Sequence, residues 1–205
     1  MGQVFRRAEQ YLDQFDTDYM GQFVEIGTSR NGDDGSTRTI ANWAARFGKA
    51  LVTVDMDINN CNYVVEQDIP NVEVICQRGE EYLKHFPKHI AYISLLYLDN
   101  FDWDWHPDRT EDFVIEQQKR YADLGLEMNN VNSQRAHLHQ AELALPVLGD
   151  KCLVICDDTW YNKWWGHYSG KSGAVVPYLL NHGFEVLYTE EDPVYGTILG
   201  RGITK

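Results

Sequence analysis

The sequence predicts an α/β domain whose mostly parallel sheet is covered by helices on both faces. Three observations predict it. Short β-rich apolar runs alternate with amphipathic helical stretches between residues 22 and 200. Several of those runs are continuously apolar, as strands buried on both faces must be. The 205 residues also fall in the range of one hydrophobic core, with no internal repeat or linker, so residues 1–205 read as a single domain.

In chain order, strands are expected at 22–26, 50–55, 72–76, 90–99, 151–156, 184–188 and 194–200. Ser36 can cap a helix in which Ile40, Trp43, Ala44 and Phe47 follow the i, i+3, i+4, i+7 spacing, ending near Gly48. Further helices are expected at 80–86 before Pro87, at 133–148, and at 174–181 before Gly183. The stretch 100–132 is rich in charge and aromatics and is the least patterned; it reads as a lid or insertion holding a helix over 111–124.

Composition narrows the partners. With 43 % apolar residues and 26 aromatic ones (8 Phe, 12 Tyr, 6 Trp), the chain can build a core and is not disordered. Its 31 acidic against 18 basic residues give −13 at pH 7, a field that repels phosphate backbones and anionic lipid, so neither nucleic acid nor a membrane is the expected partner. The longest strongly apolar run, 90–98, lies between His89 and Asp99 and is far short of the ~20 residues a membrane helix needs. The opening MGQVFRRAEQ lacks a secretory signal pattern, and Cys61, Cys76, Cys152 and Cys156 form no CxxC pair. A cytoplasmic protein with reduced thiols is expected, and self-association into a homo-oligomer stays open.

In an open parallel sheet a ligand lies beyond the carboxyl ends of the strands. Strand one runs through Glu25 into a loop holding Gly27, Thr28, Ser29, Gly32, Gly35 and Ser36, where glycines let backbone N–H groups approach a ligand. The spacing misses G-x-G-x-x-G, which argues against a nicotinamide dinucleotide. Glu25, at the end of a buried strand, needs a cationic or donor partner, and an amino group on a ligand would serve. Asp55 ends strand two, where an acid can accept both hydroxyls of a ribose or simply cap the next helix. Gly79, Glu80 and Glu81 open a helix after strand three, as dipole partners or as contacts to a base.

The strings VEIGTSRNGDDGSTRTIA and LVTVDMD resemble the first two motifs of the S-adenosylmethionine-dependent methyltransferases of the Rossmann-like class. The resemblance implies a three-layer sandwich with a seven-stranded, mainly parallel sheet whose last strand is antiparallel. It implies a cofactor site of Glu25, Gly27, Thr28, Ser29, Gly35, Ser36, Asp55, Gly79, Glu80 and Asp99. The loop is longer than the family's by residues 31–34.

Strand four ends in Asp99 and strand five in Asp157-Asp158, and if these strands are neighbours three carboxylates meet. Like charges that close call for a cation, and oxygen-only ligands suit Mg²⁺, Ca²⁺ or Mn²⁺. Alternatively, Asp99 makes a salt bridge and Asp158 caps a helix. The set is similar to the metal site of the catechol O-methyltransferase-like enzymes and their sugar, antibiotic and cephalosporin hydroxylase-like relatives, which implies Asp99, Asp157 and Asp158 as ligands of a divalent ion, Mg²⁺ foremost. Catechol-type members carry a lysine base three residues after the first aspartate. Here Asp102 stands there, so Asp102 and His139 are candidate proton acceptors, with His106, His137, Lys163 and His167 also open. Trp103, Trp105, Trp160, Trp164 and Trp165 follow the same two strands, as a wall for an aromatic or sugar acceptor or as a small satellite core.

The expected function is thus methyl transfer from S-adenosylmethionine to a hydroxyl of a small molecule, assisted by a divalent metal. The rivals are a non-catalytic nucleoside-binding module and another nucleotide-dependent enzyme on the same scaffold.

Overall fold

A computed structural model describes residues 3–16, 21–30, 35–87, 92–104, 110–190 and 196–205. Seven strands form one sheet: β1 (Gln22–Ile26), β2 (Leu51–Asp55), β3 (Val72–Cys76), β4 (Ile93–Leu98), β5 (Leu148–Asp157), β8 (Glu185–Thr189) and β9 (Gly196–Arg201). A hairpin of β6 (Thr159–Asn162) and β7 (His167–Gly170) stands apart from it. Helices are α1 (Gln3–Leu12), α2 (Ser36–Arg46), α3 (Ile58–Glu66), α4 (Gly79–Lys84), α5 (Glu111–Asp123), α6 (Asn130–Ala144) and α7 (Val175–Leu180). The sheet order is β3-β2-β1-β4-β5-β9-β8, and β9 runs antiparallel to both neighbours, as expected.

Strand alternation divides the core between two faces. Phe23, Leu51, Leu95, Tyr97, Leu153 and Ile155 pack under α1 and α2 with Phe5, Leu12, Ile40 and Trp43. Val24, Ile26, Val54, Leu96, Leu98 and Val154 pack on the other face under α4, α6 and α7 with Leu83, Ala141 and Leu179. Glu25 shares its face with Phe23, so its carboxyl is carried beneath α2, the helix that the glycine loop starts.

Three elements had escaped the sequence reading. The α1 segment buries Val4, Phe5, Ala8 and Leu12 along one stripe between charged residues. The N-terminus of α3 is capped by Asp57, whose side chain accepts from the Asn59 N–H. The β6–β7 hairpin is two four-residue runs too mixed in polarity to show a period. The cap of α2 also differs: Gly35 holds that position and Ser36 is the first helical residue. Predicted strand starts at 90 and 194, the loop residues 31–34 with Gly32, and Trp105 and His106 lie outside the described residues. Among the described residues no helix is long and apolar enough to cross a membrane.

Candidate active site

The strand ends build a cradle around Gly27. Its φ is +97°, and a Cβ there would lie 2.4 Å from the Asn100 backbone nitrogen, so glycine alone lets the β1 and β4 loops touch. Beneath it Glu25 is fully buried. Its Oε2 accepts from the hydroxyls of Thr37 (2.6 Å) and Thr53 (2.7 Å), while Oε1 has no hydrogen-bond partner among the described residues. Burial raises its pKa from the usual 4.5 to about 7 against the pull of the Ser36, Thr37 and Thr53 hydroxyls. Ser29 and Thr37 tie the loop to α2 reciprocally: each backbone N–H donates to the other's hydroxyl, at 2.9 and 3.0 Å. Gly35 is needed there because a Cβ would come within 2.0 Å of the Ser29 hydroxyl.

Asp55 is buried, which raises its pKa, and it accepts from the backbone N–H groups of Asp57 (2.8 Å) and Thr28 (3.2 Å) and from the Asn60 amide (3.1 Å). It orients the cradle, while the capping role falls to Asp57. Gly79 packs on Ile26, where a Cβ would sit 2.3 Å from a methyl carbon, and Glu80 accepts from Gln140 at 3.2 Å. Helix α5 lies over the cradle: Arg120 pairs with Asp57, and the Asp102 N–H donates to the Tyr121 hydroxyl at 2.6 Å. Desolvation of Asp57 is outweighed by the Asn59 N–H and Arg120, which hold its pKa below the usual value. The cleft lined by Gly27, Thr28, Asp55, Asn60, Asp99 and Tyr121 keeps a free volume of only about 20 Å³.

The expected carboxylates do gather at the ends of β4 and β5, and a lysine stands among them. Lys171 Nζ is 2.8 Å from Asp99 Oδ1, 3.0 Å from Asp158 Oδ2 and 3.9 Å from Asp102 Oδ1, with its side chain only 2 % exposed. Desolvation would lower its pKa, but Asp158, Asp99 and Asp102 override that and raise it well above the usual value. Asp157 is pushed strongly upward, first by desolvation and then by Asp99 and Asp158. The salt-bridge reading of Asp99 is the one the geometry matches. A divalent ion expected at Asp99, Asp157 and Asp158 is not shown: the ammonium occupies the gap between Asp99 and Asp158. Among the described residues no group of three His, Cys, Asp or Glu side chains is arranged to hold a metal.

The two expected proton acceptors lie apart, in different surroundings. Asp102 is 1 % exposed and clamped by Arg30 through two contacts, 2.7 and 3.1 Å. His139 is 58 % exposed on α6, beside Glu142, in a separate cavity with Arg78, Glu80 and Glu81. His137 is the histidine that enters the cluster's field. It is fully buried, its Nδ1 lies 2.8 Å from the Ser133 carbonyl, and its Nε2 is unpartnered among the described residues. Burial, then the Lys171 charge, lower its pKa to about 4 despite the Ser133 contact.

Beyond Lys171 opens a cavity of about 940 Å³ lined by Trp103, Trp160, Trp164, Trp165, Tyr168 and Gly170 among others. Trp103 and Trp160 are buried against each other at 5.6 Å, whereas Trp164 and Trp165 are 94 % and 73 % exposed. The tryptophan cluster therefore divides: two rings belong to a packed floor and two stand at the mouth. Lys163 and His167 line the same cavity. Sequence reasoning missed Arg30, Arg120, Tyr121 and Lys171. The signal for Lys171 was a lysine in Gly170-Lys171-Ser172-Gly173, just past the aromatic run.

No family model and no curated protein matches the chain. Among solved structures, the CMeT domain of the citrinin polyketide synthase superposes with TM-score 0.56 at 12 % identity, over 96 % of this chain and 52 % of that one. A methyltransferase homolog from Pyrococcus horikoshii gives 0.54 at 13 %, over 89 % and 62 %. A protein from Clostridium thermocellum named as a candidate rRNA methylase gives 0.53 at 9 %, over 97 % of both chains. This chain has the Rossmann-like methyltransferase fold. At such identities the likeness extends to the fold, and the acceptors named for those proteins remain theirs.

Proposed function

We propose that the chain binds S-adenosylmethionine in the Glu25–Gly27–Asp55 cradle and transfers its methyl group to a hydroxyl of a small acceptor seated against the tryptophans. The observation that carries this is the buried Glu25 Oε1, an acceptor atom without a partner among the described residues, set beside a glycine that admits no side chain. Such an atom suits a cationic amino group. Asp55 would hold one ribose hydroxyl with the Oδ1 lone pair its three donors leave over, and Gly79 and Glu80 would flank the base. When bound, the cofactor supplies a methyl carbon already activated by its sulfonium.

The chain's task is then to exclude water, place an oxygen in line and receive its proton. We assign water exclusion to α5, acting as a lid over the cradle, and to Trp103 and Trp160. We assign proton receipt to Asp99, the rim carboxylate that lines the cradle and stays 26 % exposed. A net charge of −13 and an aromatic cavity favour a small neutral acceptor over RNA, although one protein of this fold is named for rRNA methylation.

Calorimetry with S-adenosylhomocysteine, followed by transfer of a radiolabelled methyl group to a panel of phenols, catechols, sugars and RNA, tests both halves. One-to-one nucleoside binding and label on a phenol or sugar are expected. Absence of binding would refute the cofactor assignment, and label on RNA alone would refute the acceptor class.

A further inference from the structure

We infer that Lys171 is a built-in counter-ion that takes the place of a divalent metal, holding Asp99 and Asp158 in register so that this rim assembles without a divalent ion. The inference deepens the proposed methyltransferase reading, since it assigns the cation requirement of that same site.

The backbone is built to deliver the lysine. It leaves β7 at Gly170, whose φ is +94° and whose Cβ, if present, would lie 1.8 Å from the Asp158 carbonyl oxygen. That same carbonyl accepts from the Lys171 N–H at 3.1 Å, and the Ser172 N–H donates to the Thr159 hydroxyl at 3.1 Å. The lysine is thus anchored by its main chain to the aspartate its side chain pairs with, and nothing about it resembles a surface side chain that has drifted inward. Spacing agrees, for contacts of 2.8 and 3.0 Å suit N–H···O bonds, whereas oxygen ligands close on Mg²⁺ at about 2.1 Å and on Ca²⁺ at about 2.4 Å.

Charge agrees as well. Lys171 and Arg30 bring two positive charges to Asp99, Asp102 and Asp158, which leaves one negative charge on these three, while burial and then Asp99 and Asp158 push Asp157 toward its neutral form. A residue of one charge suits a singly charged guest better than a dication, whose arrival would place it against a buried ammonium. Because Nζ is enclosed by carboxylates, Lys171 acts through Asp99 and Asp158 and is a positioning residue.

The test is a titration of Mn²⁺ into the purified full chain, with the free-ion signal followed by electron paramagnetic resonance. For the unaltered chain we expect no stoichiometric loss of that signal at equimolar protein and ion, and none for Lys171→Arg. Lys171→Ala, which empties the gap while leaving the carboxylates, is expected to take up one Mn²⁺ per chain and to gain thermal stability from it. Uptake of one Mn²⁺ by the unaltered chain, lost in Asp158→Asn, would overturn the inference; so would a folded Lys171→Ala that takes up none. If Lys171→Ala does not fold, the unaltered chain and Lys171→Arg still decide. S-adenosylhomocysteine calorimetry with and without chelator, on the same sample, separates the two readings. Absence of nucleoside binding alongside absence of Mn²⁺ uptake refutes the methyltransferase and leaves the metal-free rim standing.

Discussion

Glu25→Gln probes stability and ligand binding through one atom pair. The carboxyl is fully buried, and its pKa stands near 7 in the folded chain against 4.5 when unburied. The folded state therefore holds this proton more tightly than the unfolded state, and stability must fall as pH rises through the window from 4.5 to about 7. The loss is about 1.4 kcal/mol for each pKa unit, on the order of 3 kcal/mol across the window. Glutamine cannot ionise, so the variant lacks this decline. Urea unfolding at pH 5 and pH 8 should show the variant gaining about 2.5 kcal/mol on the parent between the two values, since part of the decline already lies below pH 5. A ligand whose amino group pairs with Oε1 reverses the balance, because it favours the ionised acid. Binding of S-adenosylhomocysteine should then strengthen from pH 5 to 7.5 and release a proton, visible as a calorimetric heat that depends on the ionisation enthalpy of the buffer. Loss of a charge-assisted hydrogen bond worth about 1.5–3 kcal/mol should weaken binding roughly 10- to 100-fold in the variant. Parallel pH profiles of parent and variant, with equal ligand affinity, would refute both the burial argument and the assignment of Oε1.

Three other substitutions separate the parts of the site. Gly27→Ala combines a φ of +97° with a Cβ 2.4 Å from backbone, so a loss of about 3 kcal/mol or more, several degrees in Tm, and loss of nucleoside binding are expected in scanning calorimetry and titration. Trp160→Ala should cost about 3–5 kcal/mol because the ring is buried against Trp103, whereas Trp164→Ala should leave unfolding within about 0.5 kcal/mol of the parent and instead raise KM for the acceptor. Equal effects in the two tryptophan variants would dissolve the division into floor and mouth. Arg120→Ala removes the α5 contact with Asp57, and S-adenosylhomocysteine should bind severalfold tighter in calorimetry because less work is needed to open the 20 Å³ cleft. Weaker binding would make Arg120 a ligand contact instead of a latch.

What could be read from sequence was what local physics decides. The buried strands announced themselves as apolar runs, and the glycine loop with Glu25 and Asp55 lay at strand ends, where an open sheet exposes its chemistry. The α1 stripe was short enough to pass as a solvated start, and α3, INNCNYVVE, buries only Cys61 and Val64, too few to display a helical period. Convergence of Asp99 and Asp158 followed from β4 lying beside β5, yet their partner did not. Acids at strand ends predict that a cation arrives, and spacing along the chain carries no information on whether it comes from solvent or from a hairpin 72 residues after Asp99.

The same limit explains the remaining omissions and shows how the cleft is assembled in so acidic a chain. Among the described residues three cations serve it, and each comes from a different segment: Arg30 from the loop after β1, Arg120 from α5, Lys171 from the end of the hairpin. Each reaches an acid at least 63 residues away in sequence: Asp102 after β4, Asp57 after β2, and Asp99. An acid buried at 1 % exposure, such as Asp102, draws on the Arg30 guanidinium and on Lys171 3.9 Å away, and removal of one partner from a buried pair costs about 3–5 kcal/mol. These pairs therefore act as conditions on the tertiary fold. The loops carrying the cradle, the helix above it and the hairpin of the aromatic cavity neutralise these charges by meeting at one place. That gives a physical reason for Asp102 to be spent on Arg30, and it leaves Asp99, partly exposed and sharing Lys171 with Asp158, as the rim acid with access to the cleft.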